Sequence, residues 1–480
     1  MNARVCVEPG TPRCVAESRW WTLRSRLKEA LTKEENEIMG QRHGETRNEK
    51  TSVPRYADLT RGAVEAPVSP HKGLLFCLLV ILLSGSVLFG VQRKNRRQLG
   101  IEPKTGRQAD TVVGTFMGDP ISGITAEEFE LFRLGLEDFL EVEDAAEGLG
   151  PVFNGRSCAL CHSIPAIGGS GTVMETRAGI LHEDGRFEEL PGGSNFQMFS
   201  IPIHSIQAGI PPEANSVAHR KSLPLFGNGL VEAVPDETLI ALEDPDDSDG
   251  DGISGRATRI LDRDSGDIRV GRFGWKAQQS SLFTFGAEAY RDEMGITNVL
   301  FPREACPYGV DCELLELIDP APDPEDAPDV TTGLRGVDNF ANFMRLLGPP
   351  TRGEISQEVL LGEQIFRSLR CSSCHVESLE TGPASSPALA FKRFHPYSDF
   401  LLHEVGTGDG IGQEDSQPNE VRTVPLWGVR FRGPFLHDGR ASNLKEAILM
   451  HGAEAAGSRT AFEALSEQQT RALLAFLKSL

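Results

Sequence analysis

The sequence predicts a mainly α-helical protein: two helical modules with a long insertion of loops and short strands, preceded by one N-terminal transmembrane helix. Three observations predict this architecture. An uncharged run of nineteen residues occupies positions 73–91. Two copies of the pentapeptide Cys-x-x-Cys-His each follow apolar residues at helical spacing. Roughly two hundred residues rich in Gly, Pro and Asp lie between the copies, which is typical of loops and short strands.

The N-terminal part of the chain differs in character from the rest. Residues 1–72 are polar and without periodicity, and we interpret them as a cytoplasmic tail or as the product of a start codon placed too far upstream. As a helix, residues 73–91 would span about 28 Å, enough for the hydrocarbon core of a membrane. The alternative, a buried soluble helix, lacks the amphipathic period that it would need. No Ala-x-Ala site follows the run, which favours an anchor over a cleaved signal.

The two pentapeptides indicate the chemistry. Each offers two thiols for thioether bonds to a porphyrin and a histidine that lies beneath the iron, so the pattern predicts two covalently bound haem c groups. The alternative is one zinc site built from four thiols, but zinc knuckles place their Cys pairs roughly 12 to 20 residues apart. More than two hundred residues separate the pairs here, which favours haem. The two copies are Cys158-Ala-Leu-Cys161-His162 and Cys371-Ser-Ser-Cys374-His375.

The helical repeat sets the module boundaries. After a polar linker at 92–120, we expect a first haem c module, with the insertion, over residues 121–345 and a second over 351–480. A Pro/Asp-rich stretch at 319–329 is interpreted as a linker that leads toward the second module. Each module has an amphipathic helix ahead of its pentapeptide, and this repeat is typical of two cytochrome c modules.

Capping signals and a glycine mark these helices. Thr125 and Glu128 form a capping box at the start of the first helix. Both helices contain Gly-x-x-x-Phe, beginning at Gly135 and Gly362, and a glycine on the inner face lets another helix cross closely. In the second module we expect that partner to be the C-terminal helix, which Ser466 caps. The apolar stripes are Phe129, Phe132, Leu136 and Phe139 in the first helix and Leu473, Leu477 and Leu480 in the last.

Charge and cysteine usage limit the partners. The 480 residues carry a formal charge of -21. Nucleic acid would therefore be repelled, and a basic small redox protein would be attracted. Of the nine cysteines, four belong to the pentapeptides, and Cys306 and Cys312 form a close pair. In an oxidising compartment this pair predicts a disulfide around a tight turn, and two reduced thiols are the alternative.

An acidic segment in the insertion resembles half of a calcium site. Asp247, Asp249 and Asp251 alternate as in the first half of an EF-hand loop, and Gly252 allows the sharp turn. Position twelve of such a loop would be Thr258 rather than a bidentate Glu, which excludes a standard EF-hand. We expect calcium bound by this half-loop with distant ligands, and a solvated acidic turn is the alternative.

Five segments resemble a known family. Through them, residues 120–480 resemble the di-haem oxidoreductases related to bacterial di-haem cytochrome c peroxidases, often labelled thiol oxidoreductases. The resemblance implies a mostly helical fold of two cytochrome c-like modules with haems at their interface, and peroxide-linked redox chemistry. Members often read His-Asp-Met-Gly where this chain has His403-Glu-Val-Gly406, so a role for that Met at the haem would be absent. The segments are Gly150-Pro-Val-Phe-Asn-Gly-Arg-Ser-Cys-Ala-Leu-Cys-His162, Asp249-Gly-Asp-Gly-Ile-Ser-Gly-Arg256, Gly271-Arg-Phe-Gly-Trp-Lys-Ala277, Pro425-Leu-Trp-Gly428 and Phe435-Leu-His-Asp-Gly-Arg440.

The sixth ligand of the second haem follows from helix geometry and from this resemblance. Asn443 can cap a helix on which His451 shares the apolar face, while Met450 points about 100° away. In the peroxidases that the chain resembles, a Met ligand lies at about this distance past the His-Asp-Gly motif, and counting forward from His437 reaches His451. We therefore expect His451 and His375 to ligate this iron together, which would lower its potential. Met450 as ligand, or an unliganded histidine, is the alternative.

For the first haem, the sequence indicates the proximal ligand His162 and little else. If no sixth ligand binds, peroxide would react at this iron, a distal acid or base would move its proton, and electrons would arrive through the haem at His375. Trp275 or Trp427 is a candidate relay between the haems, although a Trp in such a loop more often packs. Three further histidines are interpreted as surface residues, namely His182, His204 and His219.

The expected function is that of a peroxidase-like di-haem c-type oxidoreductase, with an open haem and a second, six-coordinate haem that relays electrons. The alternatives are a membrane-anchored di-haem electron carrier without catalytic activity and a di-haem oxidase of an organic or protein substrate. The expected electron donor is a small cytochrome or cupredoxin. Haem attaches to Cys-x-x-Cys-His outside the cytoplasmic membrane, so we place both modules on the periplasmic side. The basic residues at 93–97 would, by charge alone, stay inside.

Overall fold

The computed structural model describes residues 109–201, 209–306, 308–318 and 327–480. The predicted tail at 1–72 and the predicted membrane helix at 73–91 lie outside these ranges, as does His204. Within them, every helix is too short or too polar to cross a membrane.

Helices provide most of the regular structure in the described residues, which agrees with the predicted mainly helical character. Thr125 and Glu128 form the predicted capping box at the first long helix, and Ser466 caps the last one with Gln469. Single turns of 3-10 helix occur at Cys371–Ser373, Val429–Phe431 and Ala453–Ala455. The α-helices are α1 (Ala126–Leu140), α2 (Cys158–Cys161), α3 (Asn228–Glu232), α4 (Asp236–Ile240), α5 (Leu282–Met294), α6 (Cys312–Ile318), α7 (Gly336–Leu346), α8 (Gln357–Ser368), α9 (Leu444–Leu449), α10 (Ala456–Glu463) and α11 (Glu467–Ser479).

The strands form small sheets of two or three members, and half of them lie in the predicted insertion of loops and short strands. The longest is β3, which pairs antiparallel with both β4 and β6. The strands are β1 (Asp110–Thr111), β2 (Val152–Phe153), β3 (Met174–Leu181), β4 (Phe187–Glu189), β5 (Phe199–Ser200), β6 (Ser216–Lys221), β7 (Arg259–Leu261), β8 (Ile268–Val270), β9 (Leu379–Glu380), β10 (Lys392–Phe394), β11 (Leu402–His403) and β12 (Val421–Arg422).

Two close helix crossings confirm the reading of the glycines. Gly135 of α1 lies against α7, where a Cβ atom would overlap the carbonyl oxygen of Asn339. Gly362 of α8 lies in the same way against Ala472 of α11, the C-terminal helix. One part of the predicted stripe is wrong: Phe129 is 50% exposed, because α7 covers the side of α1 that carries Phe132 and Phe139.

Residues 109–120, the described part of the predicted linker, form backbone bridges to later segments of the chain. Strand β1 pairs in parallel with β10 of the second module. Thr115 and Pro120 form further bridges to Pro350 and Leu347. The second half of the 92–120 segment therefore belongs to the compact unit that contains both pentapeptides.

A buried ion cluster joins the insertion to the second module. The ammonium group of Lys276 lies 3.0 Å from the carboxylate of Asp409, which also accepts a hydrogen bond of 2.6 Å from Arg220. The same ammonium group donates to the backbone carbonyls of Gln417 and Glu420, among others. This cluster gives a physical role to the Lys of the Gly-Arg-Phe-Gly-Trp-Lys-Ala segment.

The predicted disulfide between Cys306 and Cys312 is present, with 5.4 Å between the two Cα atoms. It closes a short loop ahead of α6. Leu315 of that helix packs in a small apolar cluster with Val152.

Candidate functional site

The first pentapeptide lies at the edge of a cavity, here called the first cavity, which Cys158, Cys161 and His162 line together. Ser157 caps the short helix α2 by accepting a hydrogen bond from the Ala159 amide. The imidazole Nδ1 of His162 lies 2.9 Å from the carbonyl oxygen of Gly169. That carbonyl holds the proton on Nδ1, so Nε2 carries the lone pair that an iron would need.

The second pentapeptide borders another cavity, here called the second cavity, which Cys371, Cys374, His375 and His451 line. The imidazole Nδ1 of His375 lies 2.9 Å from the carbonyl oxygen of Tyr397, so His375 has the same tautomer as His162. Burial, helped by the neighbouring His451, lowers the pKa of His375 to about 4. A neutral imidazole is the form that binds a metal.

The structure brings His451 to the second cavity as the sequence predicts. Its Nδ1 lies 2.7 Å from the carbonyl oxygen of Ala447, which again leaves Nε2 with the lone pair. Helix α9 ends earlier than expected, at Leu449, and His451 follows the C-terminal cap Met450. The side chain of Met450 is 38% exposed and does not line the cavity. These positions favour His451 over Met450 as a ligand.

The departure from the family motif also lies at the second cavity. Val405, which stands in place of the family's Met, is among the lining residues. His403 is buried between two carboxylates, 3.0 Å from Asp399 and 2.9 Å from Glu454. These two carboxylates raise the pKa of His403 well above its ordinary value, despite the opposing effect of its burial. The two carboxylates therefore favour the protonated form of His403, which lies beside Cys374.

A common wall separates the two cavities, and Trp275 lies in it. Its ring lines both cavities, its Nε1 donates a hydrogen bond of 2.7 Å to the Lys221 carbonyl, and its edge meets His437 at 6.2 Å between ring centroids. Trp427 lines the first cavity and packs against Phe394. Of the two candidates, Trp275 is thus the one placed between the cavities.

Buried arginines offer a test of whether haem fits. Arg422 and Arg432 line both cavities, and burial lowers the pKa of Arg422 to about 9 and that of Arg432 to about 10. The Nε of Arg432, the Nη2 of Arg220 at the first cavity and the Nε of Arg459 at the second have no hydrogen-bond partner in the protein. Buried donors of this kind require an acceptor. The carboxylates of a haem supply such acceptors, so the residues present fit the group.

Three carboxyl groups of α5 line the first cavity, those of Glu288, Asp292 and Glu293, and none was among the predicted site residues. Glu288 accepts a hydrogen bond of 2.8 Å from Gln279, and Glu293 accepts one of 2.7 Å from Asn154. Burial, together with the nearby Asp292, raises the pKa of Glu288 to about 7, and burial with Glu175 raises that of Glu293 to about 8. Carboxyl groups with such pKa values can hold and release protons at neutral pH.

The remaining predicted residues lie elsewhere. His182 pairs with Glu188, and His219 is exposed beside Thr176, so neither lines a cavity. In the acidic segment, oxygens of Asp247 and Asp249 cluster with one of Asp244 within 4.8 Å. Asp251 differs from the prediction, because its carboxylate pairs with Arg370 at 2.5 Å. The acidic cluster thus contains Asp244 in place of Asp251.

Comparison with known families gives one match. Residues 206–480 match the family described as "Di-haem oxidoreductase, putative peroxidase". No curated protein matches the chain. The family match spans more than half of the 480 residues. It includes the second pentapeptide, the carboxyl groups of α5 and the common wall between the two cavities.

Among solved structures, hydrazine synthase of Kuenenia stuttgartiensis under xenon is 14% identical and covers 79% of this chain and 98% of its own, with a TM-score of 0.37. The diheme peroxidase BthA from Burkholderia thailandensis is 15% identical over 78% of this chain and 92% of its own, with a TM-score of 0.36. A MauG-like protein associated with microbial copper homeostasis is 15% identical, and the match covers 77% of this chain and 93% of that protein, with a TM-score of 0.33.

Proposed function

Because the chain belongs to the di-haem oxidoreductase family, we propose that it reduces peroxide at the first cavity with electrons that enter through the second. One observation carries the proposal, namely the difference between the cavities. Four histidines line the second cavity, and two of them, His375 and His451, have Nδ1 against a backbone carbonyl and Nε2 available for iron. His162 is the one histidine among the described residues that line the first cavity. The first cavity instead has two protonatable carboxyl groups. A site with two iron ligands from the protein suits electron relay, and a site with one such ligand suits reduction of a substrate.

The chain's own side chains would bind the two haems. The four pentapeptide thiols would form thioether bonds, His162 and His375 would ligate from beneath, and Arg422 and Arg432 would bind the haem carboxylates. When bound, the haems supply iron that exchanges single electrons. His451 would close the second site.

The protein's part in the reaction is to move protons and exclude water. Reduction of one hydrogen peroxide to two waters takes two electrons and two protons. Glu288 and Glu293 would donate protons as the O–O bond breaks, because their raised pKa values keep them protonated near neutral pH. Trp275, in the common wall, is the aromatic group between the two electron-carrying sites.

Turnover of hydrogen peroxide with a reduced small cytochrome or cupredoxin tests this function. We expect wild-type protein to consume peroxide and His162→Gly to fall to the background rate, because the open iron loses its protein ligand. His182→Ala is the matched control: it removes a histidine that lines neither cavity and should leave turnover unchanged. If carbon monoxide binds neither haem and wild-type protein consumes no peroxide, the electron-carrier function replaces the proposal.

Covalent attachment is a second expected result. Denatured wild-type protein should keep two haems per chain, measured as pyridine haemochromes, because thioether bonds survive unfolding. Cys158→Ala combined with Cys161→Ala should halve that number. Loss of all haem on denaturation of the wild-type protein would contradict the prediction.

Calcium in the acidic cluster remains a prediction. If Asp247 and Asp249 bind the ion with Asp244, chelation should lower the melting temperature, and Asp249→Ala should abolish that sensitivity. Asp267→Ala, in an exposed turn outside the cluster, is the control. A melting temperature that does not respond to the chelator would indicate a solvated turn.

We also propose a location and a partner. The uncharged segment at 73–91 would anchor the chain in the membrane, with the haem modules on the periplasmic side. A basic small redox protein would deliver electrons, since the formal charge of -21 attracts cations and repels nucleic acid.

A further inference from the structure

We propose that a third, polar cavity is the proton entrance to the first cavity and that Glu288 passes protons between the two. This outer cavity lies between β4, α5 and the loop at 412–418. Arg177, Glu288 and Asp292 line both it and the first cavity, so they form the boundary between the two spaces. The inference deepens the proposed function and rests on it, because peroxide reduction consumes two protons for each molecule.

The outer cavity is built to hold water. Asn195 and Gln197 line it and are almost fully buried, and the Oδ1 of Asn195 and the Oε1 of Gln197 have no hydrogen-bond partner in the protein. Their amide nitrogens both donate to the Asp292 carbonyl, at 3.2 and 3.1 Å, which fixes the two oxygens in place. Buried polar atoms without protein partners are satisfied by ordered water. A water-filled cavity therefore reaches the boundary residues.

Arg177 fixes the boundary. Its guanidinium group bonds to Glu175, which lines the first cavity, and donates a hydrogen bond of 3.0 Å to Ser194, which lines the outer one. Because its guanidinium group is bound to a residue of each cavity, the Arg177 side chain separates the first cavity from the outer one. It also holds a positive charge near Glu288. Asp292, the other acid of the boundary, pairs with Arg291. The carboxyl group of Glu288 is therefore the proton-exchanging group on the boundary.

Glu288 gives its proton to the departing oxygen of hydrogen peroxide as the O–O bond breaks, and that oxygen leaves as water. The resulting carboxylate takes a proton from water in the outer cavity, which equilibrates with solvent. A reduced small redox protein supplies the two electrons, and the second proton follows the same route.

Infrared spectroscopy and turnover together test the inference on the full, haem-loaded chain. Glu288→Gln should abolish one protonated-carboxyl band, and in the wild-type protein that band should shift rapidly on transfer to D2O. Turnover of Glu288→Gln should fall about 100-fold, with unchanged haem content and unchanged haem reduction by the donor without peroxide. Formic acid should restore part of the turnover that Glu288→Gln loses. Gln197→Leu leaves the first cavity intact and should slow both the band shift and turnover.

The controls separate the inference from the function on which it rests. Glu188→Gln changes an exposed acid of β4 that lines neither cavity, so it should behave as wild type. Wild-type protein that consumes no peroxide overturns the function and, with it, this proton role. Normal wild-type turnover that Glu288→Gln leaves unchanged overturns the inference alone, as does a carboxyl band that exchanges equally fast in Gln197→Leu.

Discussion

Replacing His451 with alanine is expected to convert half of the haem iron from low spin to high spin. Of the two predicted iron ligands at the second cavity, only His375 then remains, and its iron loses the sixth ligand. The change should appear in the electron paramagnetic resonance and visible spectra of the ferric protein, and peroxide turnover should fall because electrons reach the first cavity more slowly.

The control for this variant is its neighbour. Met450→Leu changes a side chain that is partly exposed and does not line the cavity, so both spectra should stay as in the wild type. A charge-transfer band from methionine sulfur to iron in the native ferric protein would contradict the assignment of His451.

Lys276→Met is expected to lower the free energy of unfolding by about 3–5 kcal/mol, the cost of removing one partner from a buried ion pair. Lys276 is fully buried, and its loss would remove one of the two cations that pair with the carboxylate of Asp409, leaving Arg220. Three backbone carbonyls would also lose the hydrogen bond from the ammonium group, those of Gln417, Pro418 and Glu420. Denaturant unfolding measures the change.

Arg133→Met is the matched control, because Arg133 forms ion pairs with Glu130 and Glu137 on the exposed side of α1. Exposed pairs contribute little, so its unfolding curve should overlay that of the wild type. If Lys276→Met unfolds at the same denaturant concentration as the wild type, the buried cluster does not join the insertion to the second module.

Features that depend on neighbouring residues were predictable from the sequence. The capping box at Thr125, the glycine crossings at Gly135 and Gly362, and the Cys306–Cys312 disulfide each depend on short spacings or on one helix face. Local geometry fixes all of these, so the tertiary fold had little power to alter them. The position of His451 was predicted from the family resemblance and from a helix face, although helix α9 ends at Leu449, before it.

Features that depend on distant partners were not predictable. Asp251 left the predicted acidic set because Arg370, more than a hundred positions away, pairs with its carboxylate. The pKa values of Glu288 and Glu293 are raised by burial in the folded protein. In the sequence alone, these residues are two acids on an amphipathic helix. The choice of Trp275 over Trp427 likewise required the shape of the wall.

The common wall also bears on how the protein is made. Part of the wall, at 221–224 and Trp275, comes from the insertion, and the rest, at 422–432, comes from the second module. Ribosomes deliver the chain from its N-terminus, so the first cavity stays open on one side until those later residues have emerged. A truncated chain ending before Arg422 would lack that side permanently. We therefore expect the two halves to depend on each other, so that neither half alone would form a complete first cavity.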